Sequence, residues 1–376
     1  MLDTIILLLP ESKFRITNPA MFSMNPNILK KILGYAKSEN NPTAADRKSG
    51  IYKPRMTPYK RGSNLFLKIE FSAPKILWRN NVDELCDGDF ETMIEQLRLR
   101  IAEMGVQIWT HDLKKAEVLA FHPSKNILIT NNYSASLAVR ELKKTEVSLL
   151  FDVDYKEFRN SGEILQFYAK CHALIFYDKV RDLPKPEARA IDKDQTLYQS
   201  SLFDNLFRKI EILRMEVRLC EKRKINEILN KLGYSKDPTL EDIFKQEVCQ
   251  KILKFYWTEF FDNYKFIFNI SNSPQRLLEI LLAKSPKTTV RRAMEWIGLM
   301  TLIRDDEGFR GLRAIIGKYR PKTSWAHFKG KIERFKSDIY KQNLCAFIED
   351  IETQLNKFEP IKLDQLSTCL VKKSKV

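Results

Sequence analysis

The chain has 376 residues, with 64 Lys and Arg against 48 Asp and Glu, and so a formal charge of +16 at pH 7. Its hydrophobic content of 44% is too high for a disordered chain, and 12 Gly and 15 Pro are too few for a collagen-like or low-complexity one. The length predicts about two or three domains that bury real hydrophobic cores.

The first two-thirds of the chain mixes predicted strands and helices. Period-two alternation is clearest in LFLKIEFS, and helical spacing is clearest in DFETMIEQLRLRIAEM, which Gly105 ends. Residues 40–63 form a polar loop with Pro and Lys. The predicted strands are residues 4–9, 65–72, 117–121, 164–169, 173–179 and 211–219, and the predicted helices are residues 27–36, 89–104 and 134–142.

After about residue 235 the pattern becomes helical and basic. The predicted helices there are residues 240–255, 275–283, 290–303, 309–316 and 332–356. We therefore expect an α+β domain over residues 1–235, an all-α basic domain over residues 236–362, which binds DNA or is accessory, and a flexible tail over residues 363–376.

Targeting and metal-binding motifs are not found. The apolar run of the opening MLDTIILLLP is short, and Asp3 stands where a signal peptide carries Lys or Arg. No stretch approaches the about 18 apolar residues of a membrane span. The six Cys form no CxxC pair and the four His no HExxH motif. We expect a cytoplasmic protein with no membrane partner.

Positive charge is concentrated in two regions. Residues 284–341 contain fifteen basic and six acidic residues, and the loop segment 47–61 (RKSGIYKPRMTPYKR) contains six basic and no acidic ones. Such regions predict a polyanionic partner, and two of them favour nucleic acid over a solubilising surface. The candidate DNA-binding residues are Lys48, Lys53, Arg55, Lys60, Arg61, Arg214, Arg218, Arg291 and Arg292.

Two predicted strands carry charged and aromatic side chains on one face. In ALIFYDK, alternation places Tyr177 and Lys179 together, where an ammonium favours the phenolate and lies beside any phosphate that the phenol attacks. In RMEVR, Glu216 lies between Arg214 and Arg218. This pattern is typical of a surface ion-pair ladder, and it also suits a divalent cation held together with phosphate oxygens.

A third segment, EVLAFHPSKN, places His122 at the end of an apolar strand, just before a Pro-Ser turn. A side chain at such a position often points into a cleft, although a single His is more often a structural residue. Each of the three segments is ambiguous by itself.

The order of these segments is more specific than any one of them. MLDTIILLLP, LFLKIEFSAPKIL, EVLAFHPSKN, IFYDKVRDL, LRMEVRL and KTSWAHFK follow one another along the chain. In this order they resemble the rolling-circle replication initiators of filamentous phages, the gene II protein family. More distantly, they resemble the plasmid replication initiators of Gram-positive bacteria.

The resemblance implies a fold and a set of site residues. The fold is an antiparallel-sheet nicking-endonuclease (HUH-like) catalytic domain with helices packed on one side. Tyr177 matches the nucleophile, with Tyr168 as the second choice, and Lys179 matches its electrostatic partner. Glu216 and His122 match ligands of Mg²⁺ or Mn²⁺.

The chain departs from the family at the metal-binding strand. Where the family commonly has Arg-hydrophobe-Asp, this chain has Ala116-Glu117-Val118. Strand alternation places Glu117 and His122 on opposite faces unless a bulge intervenes, so we expect His122, and less readily Glu117, to meet the metal.

The implied activity is metal-dependent nicking of one DNA strand at an origin in a bacterial host. Tyrosine attack leaves a 5′-phosphotyrosyl link and a free 3′-OH, and the same site later rejoins the strand. The implied partners are single- and double-stranded origin DNA, a host polymerase and a host helicase. Two alternatives remain open: a relaxase or transposase with similar chemistry, and a catalytically inactive origin-binding regulator.

Overall fold

The structure is a computed structural model. It describes residues 1–29, 31–32, 34–48, 50–78, 80–130, 133–145, 151–157, 161–182, 210–262, 273–284, 288–305, 307–339 and 346–362. The predicted tail, residues 363–376, lies outside the described residues, as does the side chain of Lys48.

The chain forms eleven described strands and fifteen described α-helices. The strands are β1 Leu2–Pro10, β2 Arg15–Ile16, β3 Ala36–Lys37, β4 Arg55–Arg61, β5 Asn64–Ser72, β6 Val106–Gln107, β7 Glu117–Leu128, β8 Asp152–Glu157, β9 Glu163–Ala169, β10 His172–Asp178 and β11 Ile212–Leu219. The helices are α1 Pro26–Leu29, α2 Ala44–Lys48, α3 Ala73–Trp78, α4 Phe90–Glu103, α5 Thr110–Lys114, α6 Ala135–Lys143, α7 Lys179–Asp182, α8 Lys222–Lys231, α9 Leu240–Ile243, α10 Gln246–Phe261, α11 Pro274–Lys284, α12 Val290–Ile303, α13 Gly308–Tyr319, α14 Lys322–Ile339 and α15 Ala346–Lys357.

Nine of the strands form one antiparallel sheet in the order β3-β4-β5-β1-β7-β11-β10-β9-β8. Strand β1 lies between β5 and β7, well away from either edge. The remaining strands, β2 and β6, form a small pair of their own. The protein is thus of the α+β class with a large antiparallel sheet, as the sequence predicted.

One face of the sheet carries the hydrophobic core. Alternate residues of the central strands, such as Ile5 and Leu7 on β1 and Met215 on β11, are completely buried there. Apolar faces of α3, α4, α6, α8, α10 and α15 contribute buried residues to the same cluster. Burying each such aliphatic side chain contributes roughly 1.5–3 kcal/mol, so this face is the main source of stability.

The opposite face, which we call the polar face, carries mostly charged and polar side chains. It is defined by Arg55, Thr57 and Tyr59 on β4, Phe66, Lys68 and Glu70 on β5, Ile6 and Leu8 on β1, His122, Ser124 and Asn126 on β7, Arg214, Glu216 and Arg218 on β11, and Ala173, Ile175 and Tyr177 on β10. Cross-strand partners in an antiparallel sheet share a face.

A second, smaller hydrophobic cluster joins helices α11 to α14. Trp296 on α12 is its largest buried side chain, and Phe309 on α13 and Ile332 on α14 pack in the same cluster. Helices α10 and α15, which flank this cluster in the chain, belong instead to the core of the sheet. The predicted boundary after residue 235 therefore does not separate the two hydrophobic cores. The division into domains itself stays a prediction.

Several predicted elements differ from those observed. The predicted loop 40–63 contains α2 and β4, because two prolines hide the alternation of Met56 with its neighbours. The predicted helix 27–36 is reduced to α1, and the predicted helix 332–356 corresponds to the end of α14 and to α15. Among the described residues, no helix is both long and apolar enough to cross a membrane.

Candidate functional site

The candidate site lies on the polar face, where the neighbouring strands β7, β11 and β10 run side by side. Tyr177 on β10 is directly opposite Arg214 on β11, which is in turn opposite Asn126 on β7. One step further along the strands, Glu216 is opposite Ser124. Hydrogen-bonding register alone therefore brings the predicted nucleophile strand next to the predicted metal-binding strand.

Glu216 is the most buried acid of this site, with 2% of its surface exposed. Its Oε1 accepts a hydrogen bond of 2.7 Å from Nε of Arg218, and Nδ1 of His122 lies 3.6 Å from the same oxygen. Burial raises the pKa of the Glu216 carboxyl, but the Arg218 and Arg214 guanidiniums outweigh burial and hold that pKa below its ordinary value. Glu216 is thus a buried carboxylate at neutral pH.

His122 lies next to this carboxylate as a neutral imidazole. Burial lowers its pKa, and the opposing attraction of Glu216 does not restore it. A neutral imidazole can act as a metal ligand, and a carboxylate beside it is the oxygen donor that Mg²⁺ and Mn²⁺ prefer. The structure therefore places side by side the two residues that the sequence predicted as metal ligands; metal binding by them stays a prediction.

These two residues form a pair of donors rather than a complete cage. Among the described residues, no group of three or more His, Cys, Asp and Glu side chains is placed to hold a metal ion. A pair of protein donors fits Mg²⁺ or Mn²⁺ when water and substrate phosphate oxygens supply the remaining ligands, a common arrangement for Mg²⁺.

Arg214 is the centre of the hydrogen-bond network below the site. Its Nη2 lies 3.0 Å from Oδ2 of Asp3 and donates a hydrogen bond of 2.8 Å to Ser124. Its Nη1 donates to the carbonyl oxygen of Asn81 at 2.7 Å and to Oδ1 of Asn126 at 3.2 Å. Arg214 was predicted to contact DNA, and only 2% of it is exposed. Its visible role is to tie β1, β7 and β11 together.

One donor of Arg214 is not used in this network. The buried Nε–H has no hydrogen-bond partner among the described residues, and Nε lies 3.9 Å from Oε2 of Glu216. Asp3, which balances the charge of Arg214, also accepts a hydrogen bond of 3.0 Å from the Ser72 hydroxyl. Burial raises the pKa of Asp3, but Arg214 outweighs burial and lowers that pKa well below its ordinary value.

Tyr177 is almost fully buried, with 7% of its surface exposed. Burial raises the pKa of its phenol well above the ordinary value, although Arg214 acts in the opposite direction. The sequence led us to expect that basic neighbours favour the phenolate. In the structure desolvation is larger than this attraction, so the phenol keeps its proton at neutral pH.

Lys179 lies close to Tyr177, but not as the next residue of the same strand. Strand β10 ends at Asp178, and Lys179 is the first residue of the short helix α7. Its ammonium is 5.7 Å from the centroid of the Tyr177 ring and donates a hydrogen bond of 2.6 Å to Oδ1 of Asn81. The predicted proximity of phenol and ammonium is therefore present, although the geometry differs.

The second-choice nucleophile, Tyr168, lies farther from the acidic pair. It is on β9, opposite Ala173 of β10, and 37% of it is exposed. Strand β10 separates it from Arg214 and Glu216.

Glu117 is on the same face as His122, contrary to simple alternation. The register between β1 and β7 shifts at two places, and the shift between Ile6 and Leu7 leaves Ile6 opposite Ala120 but Leu8 opposite Glu117. Such a bulge inserts one residue and restores Glu117 to the polar face. Five residues of strand, roughly 16 Å, still separate it from His122, and it forms an ion pair of 2.5 Å with Lys222.

The structure distributes the predicted DNA-binding residues over several surroundings. Arg55 and Arg61 are on the polar face. Lys53 forms ion pairs with Asp46 and Glu103, and Lys60 donates a hydrogen bond to the carbonyl oxygen of Ile32. On α12, Arg291 is 90% exposed and lies 3.4 Å from Glu295, and Arg292 is also exposed.

Sequence reasoning missed the residues that support Arg214. Asp3 could have been found, because it is an acid within an otherwise apolar strand. Ser124 and Asn126 alternate with His122 and so share its face. Asn81 and Ser72 left no signal, because their role depends on a chain path that no local pattern encodes.

Comparisons with protein-family models, with curated proteins and with solved structures find no match to this chain.

Proposed function

We propose that this protein is a rolling-circle replication initiator of the filamentous-phage gene II type, with an HUH-like catalytic sheet. The observation that supports this proposal best is the convergence of Tyr177, Arg214, Glu216 and His122 on adjacent strands of one face. These are a nucleophile, an anion-binding guanidinium and two metal donors, which phosphoryl transfer requires. The formal charge of +16 suits a DNA substrate.

The proposed reaction is a transesterification. The Tyr177 phenol oxygen attacks the scissile phosphorus, and its proton passes to water. The bond from phosphorus to the 3′ oxygen breaks, and that oxygen takes a proton to become a free 3′-OH. One phosphodiester is exchanged for another, so its energy is kept for rejoining the strand.

The chain's own residues have distinct tasks in this proposal. The Arg214 guanidinium, on the cross-strand neighbour of Tyr177, acts from below the surface as a buried positive charge that attracts the phosphate. The Lys179 ammonium holds further negative charge near the phenol. His122 and Glu216 hold Mg²⁺ or Mn²⁺, which when bound polarises the phosphate and offsets developing charge. Phosphate binding beside Tyr177 also replaces water, which strengthens these interactions.

The test is a search for a covalent adduct. Wild-type protein is incubated with Mn²⁺ or Mg²⁺ and a supercoiled plasmid that carries the DNA flanking its own gene, and the products are separated on a denaturing gel. We expect a protein–DNA adduct that maps to Tyr177. Tyr177→Phe should abolish both adduct and nicking and keep DNA binding, whereas the matched control Tyr168→Phe should nick normally.

Two results would contradict this mechanism. Undiminished nicking by Tyr177→Phe would exclude Tyr177 as the nucleophile, and nicking without any adduct would indicate hydrolysis by water.

A second candidate function is a catalytically inactive origin-binding regulator. The observation that favours it is the burial and raised pKa of Tyr177, which leave the phenol protonated before DNA binds. Specific DNA binding with neither nick nor adduct, in either metal, would support the regulator over the initiator.

A further inference from the structure

Three aromatic rings lie in a row at one end of the polar face. Tyr35, which directly precedes β3, has its ring centroid 6.1 Å from that of Tyr59 on β4. The Tyr59 ring in turn stacks on Phe66 of β5, with centroids 5.7 Å apart and planes at 25°. The register of Lys37 with Tyr59 and of Tyr59 with Phe66 places the row on the polar face. We call these three residues the aromatic platform.

The aromatic platform is accessible. Tyr35 is 68% exposed, and Tyr59 and Phe66 are half-buried. On the adjoining central strand, Ile6 and Leu8 are half-buried on this face, while Ile5 and Leu7 on the core face are fully buried. A continuous, partly exposed surface therefore runs from the platform to the middle of the sheet.

Basic side chains surround the platform. Four are on its face: Lys37, Arg55, Arg61 and Lys68. Three acids lie near them, each with a basic partner: Glu39 pairs with Lys37 at 3.0 Å, Glu70 lies 3.4 Å from Lys68 and 3.9 Å from Arg55, and Glu117 on β7 pairs with Lys222. The surface keeps a net positive charge, and Arg61 is exposed at the end of β4.

We propose that the aromatic platform stacks unpaired bases of single-stranded DNA. Exposed aromatic rings with basic neighbours bind single strands because every base offers a face for stacking, while the cations follow the phosphates. In a duplex the bases are already stacked inside the helix and cannot reach the rings. Cross-strand packing explains the Tyr59–Phe66 pair on structural grounds, but it gives no reason for the exposed ring of Tyr35 to continue the row.

The platform is separate from the site around Tyr177. Between Phe66 on β5 and Tyr177 on β10 lie four strand spacings, roughly 19 Å. This inference rests on the proposed function for the identity of the nucleic acid as DNA. In that setting the platform holds the melted strand beside the nick and keeps it from re-pairing.

Fluorescence anisotropy with a labelled oligothymidine and with a labelled duplex tests the platform. The variant is Tyr35→Ala, and the matched control is Trp109→Ala, which removes another exposed ring, at the start of α5 (80% exposed). We expect Tyr35→Ala to weaken single-strand binding about tenfold and duplex binding little. Tyr35→Phe should retain binding, and Trp109→Ala should match wild type.

Two outcomes would overturn the platform. One is unchanged single-strand binding by Tyr35→Ala. The other is an equal loss for single strand and duplex, which would indicate a general electrostatic surface. The plasmid-nicking assay of Tyr177→Phe, run beside this titration, separates the two proposals. If that variant nicks like wild type while Tyr35→Ala loses single-strand binding, the nicking mechanism fails and the platform stands.

Discussion

At the residue scale, the geometry of the site depends on the buried guanidinium of Arg214 more than on Tyr177. Arg214 bonds to Asp3, Asn81, Ser124 and Asn126, which belong to three different parts of the chain. A buried charge is stable only when it is paired and hydrogen-bonded, and these four contacts meet that need for both terminal nitrogens of the guanidinium, while Nε has no partner among the described residues. Tyr177 is positioned by the same network because it is the cross-strand neighbour of Arg214.

Removing this guanidinium should destabilise the whole sheet. Arg214→Met leaves the Asp3 carboxylate buried without its cation, and we expect a loss of about 3–5 kcal/mol in the free energy of unfolding, measured by urea titration at pH 7. Lys37→Met, which breaks an exposed pair on the same face, should leave the free energy of unfolding nearly unchanged, because solvent screens such pairs.

The same pair predicts a dependence on pH. Because the pKa of Asp3 is lowered in the folded state from 3.8, its contribution is complete above that value and is lost progressively as the pH falls from there through the much lower folded pKa. The deficit of Arg214→Met should therefore shrink in strong acid. A deficit that stays constant as the pH is lowered from 7 to well below 3 would show that the Asp3–Arg214 pair is not its cause.

At the element scale, the sequence predicted those elements in which the spacing of apolar residues along the chain matches the set of residues that is buried. Helix α12 has the predicted bounds, Val290–Ile303, and β5, β10 and β11 follow their alternation closely. Strand β4 was missed, because Pro58 argues against a strand and only pairing with β3 and β5 shows where it fits. The bulge that returns Glu117 to the polar face depends on the register of β1, which no pattern within β7 encodes.

The start of α13 packs closely against the end of α6, a helix that belongs to the core of the sheet. Gly308 has φ +53°, and a Cβ there would lie 2.5 Å from Cα and O of Lys144, at the end of α6. The next residue, Phe309, donates its N–H to that same carbonyl oxygen at 2.9 Å. Only glycine permits both the backbone angle and the close approach.

Gly308→Ala should therefore loosen this contact. We expect a cost of about 2 kcal/mol or more from strain and overlap, measured as faster hydrogen exchange of the α13 amides. Gly317→Ala, on the same helix, adds a Cβ with nothing within 4 Å and should be neutral or stabilising by up to about 1 kcal/mol. Equal effects of the two substitutions would contradict the close contact.

At the scale of the whole molecule, the chain leaves the sheet after α10, builds the cluster of α11 to α14, and returns with α15. The return is well anchored. Gln354 exchanges hydrogen bonds with the backbone N–H and C=O of Leu128, and Asp350 accepts from Thr130. A sequence pattern shows that a segment is helical, but not which of two cores its apolar face joins.

The two cores should respond separately to cavities. Phe347→Ala on α15 should cost about 3–5 kcal/mol and speed hydrogen exchange in β7 and β11. Trp296→Ala should lower the free energy of unfolding by a similar amount. It should speed hydrogen exchange in α12 and α13 and leave the strand amides protected. Glu349→Ala, an exposed neighbour on α15, serves as the control. If Trp296→Ala opened the strands equally, the two clusters would form a single cooperative unit.

The central place of β1 has a consequence for synthesis on the ribosome. Strand β1 emerges before either of its partners, β5 and β7, and the core face of β7 is closed only when α15 follows. At a translation rate of roughly 5–20 residues per second, about 7–28 s pass between the end of β11 and the end of α15. During that interval the nascent chain holds an apolar sheet face that lacks one of its covering helices. Slow codons or a bound chaperone in this stretch would thus affect the yield of native protein more than the same delay placed after α15.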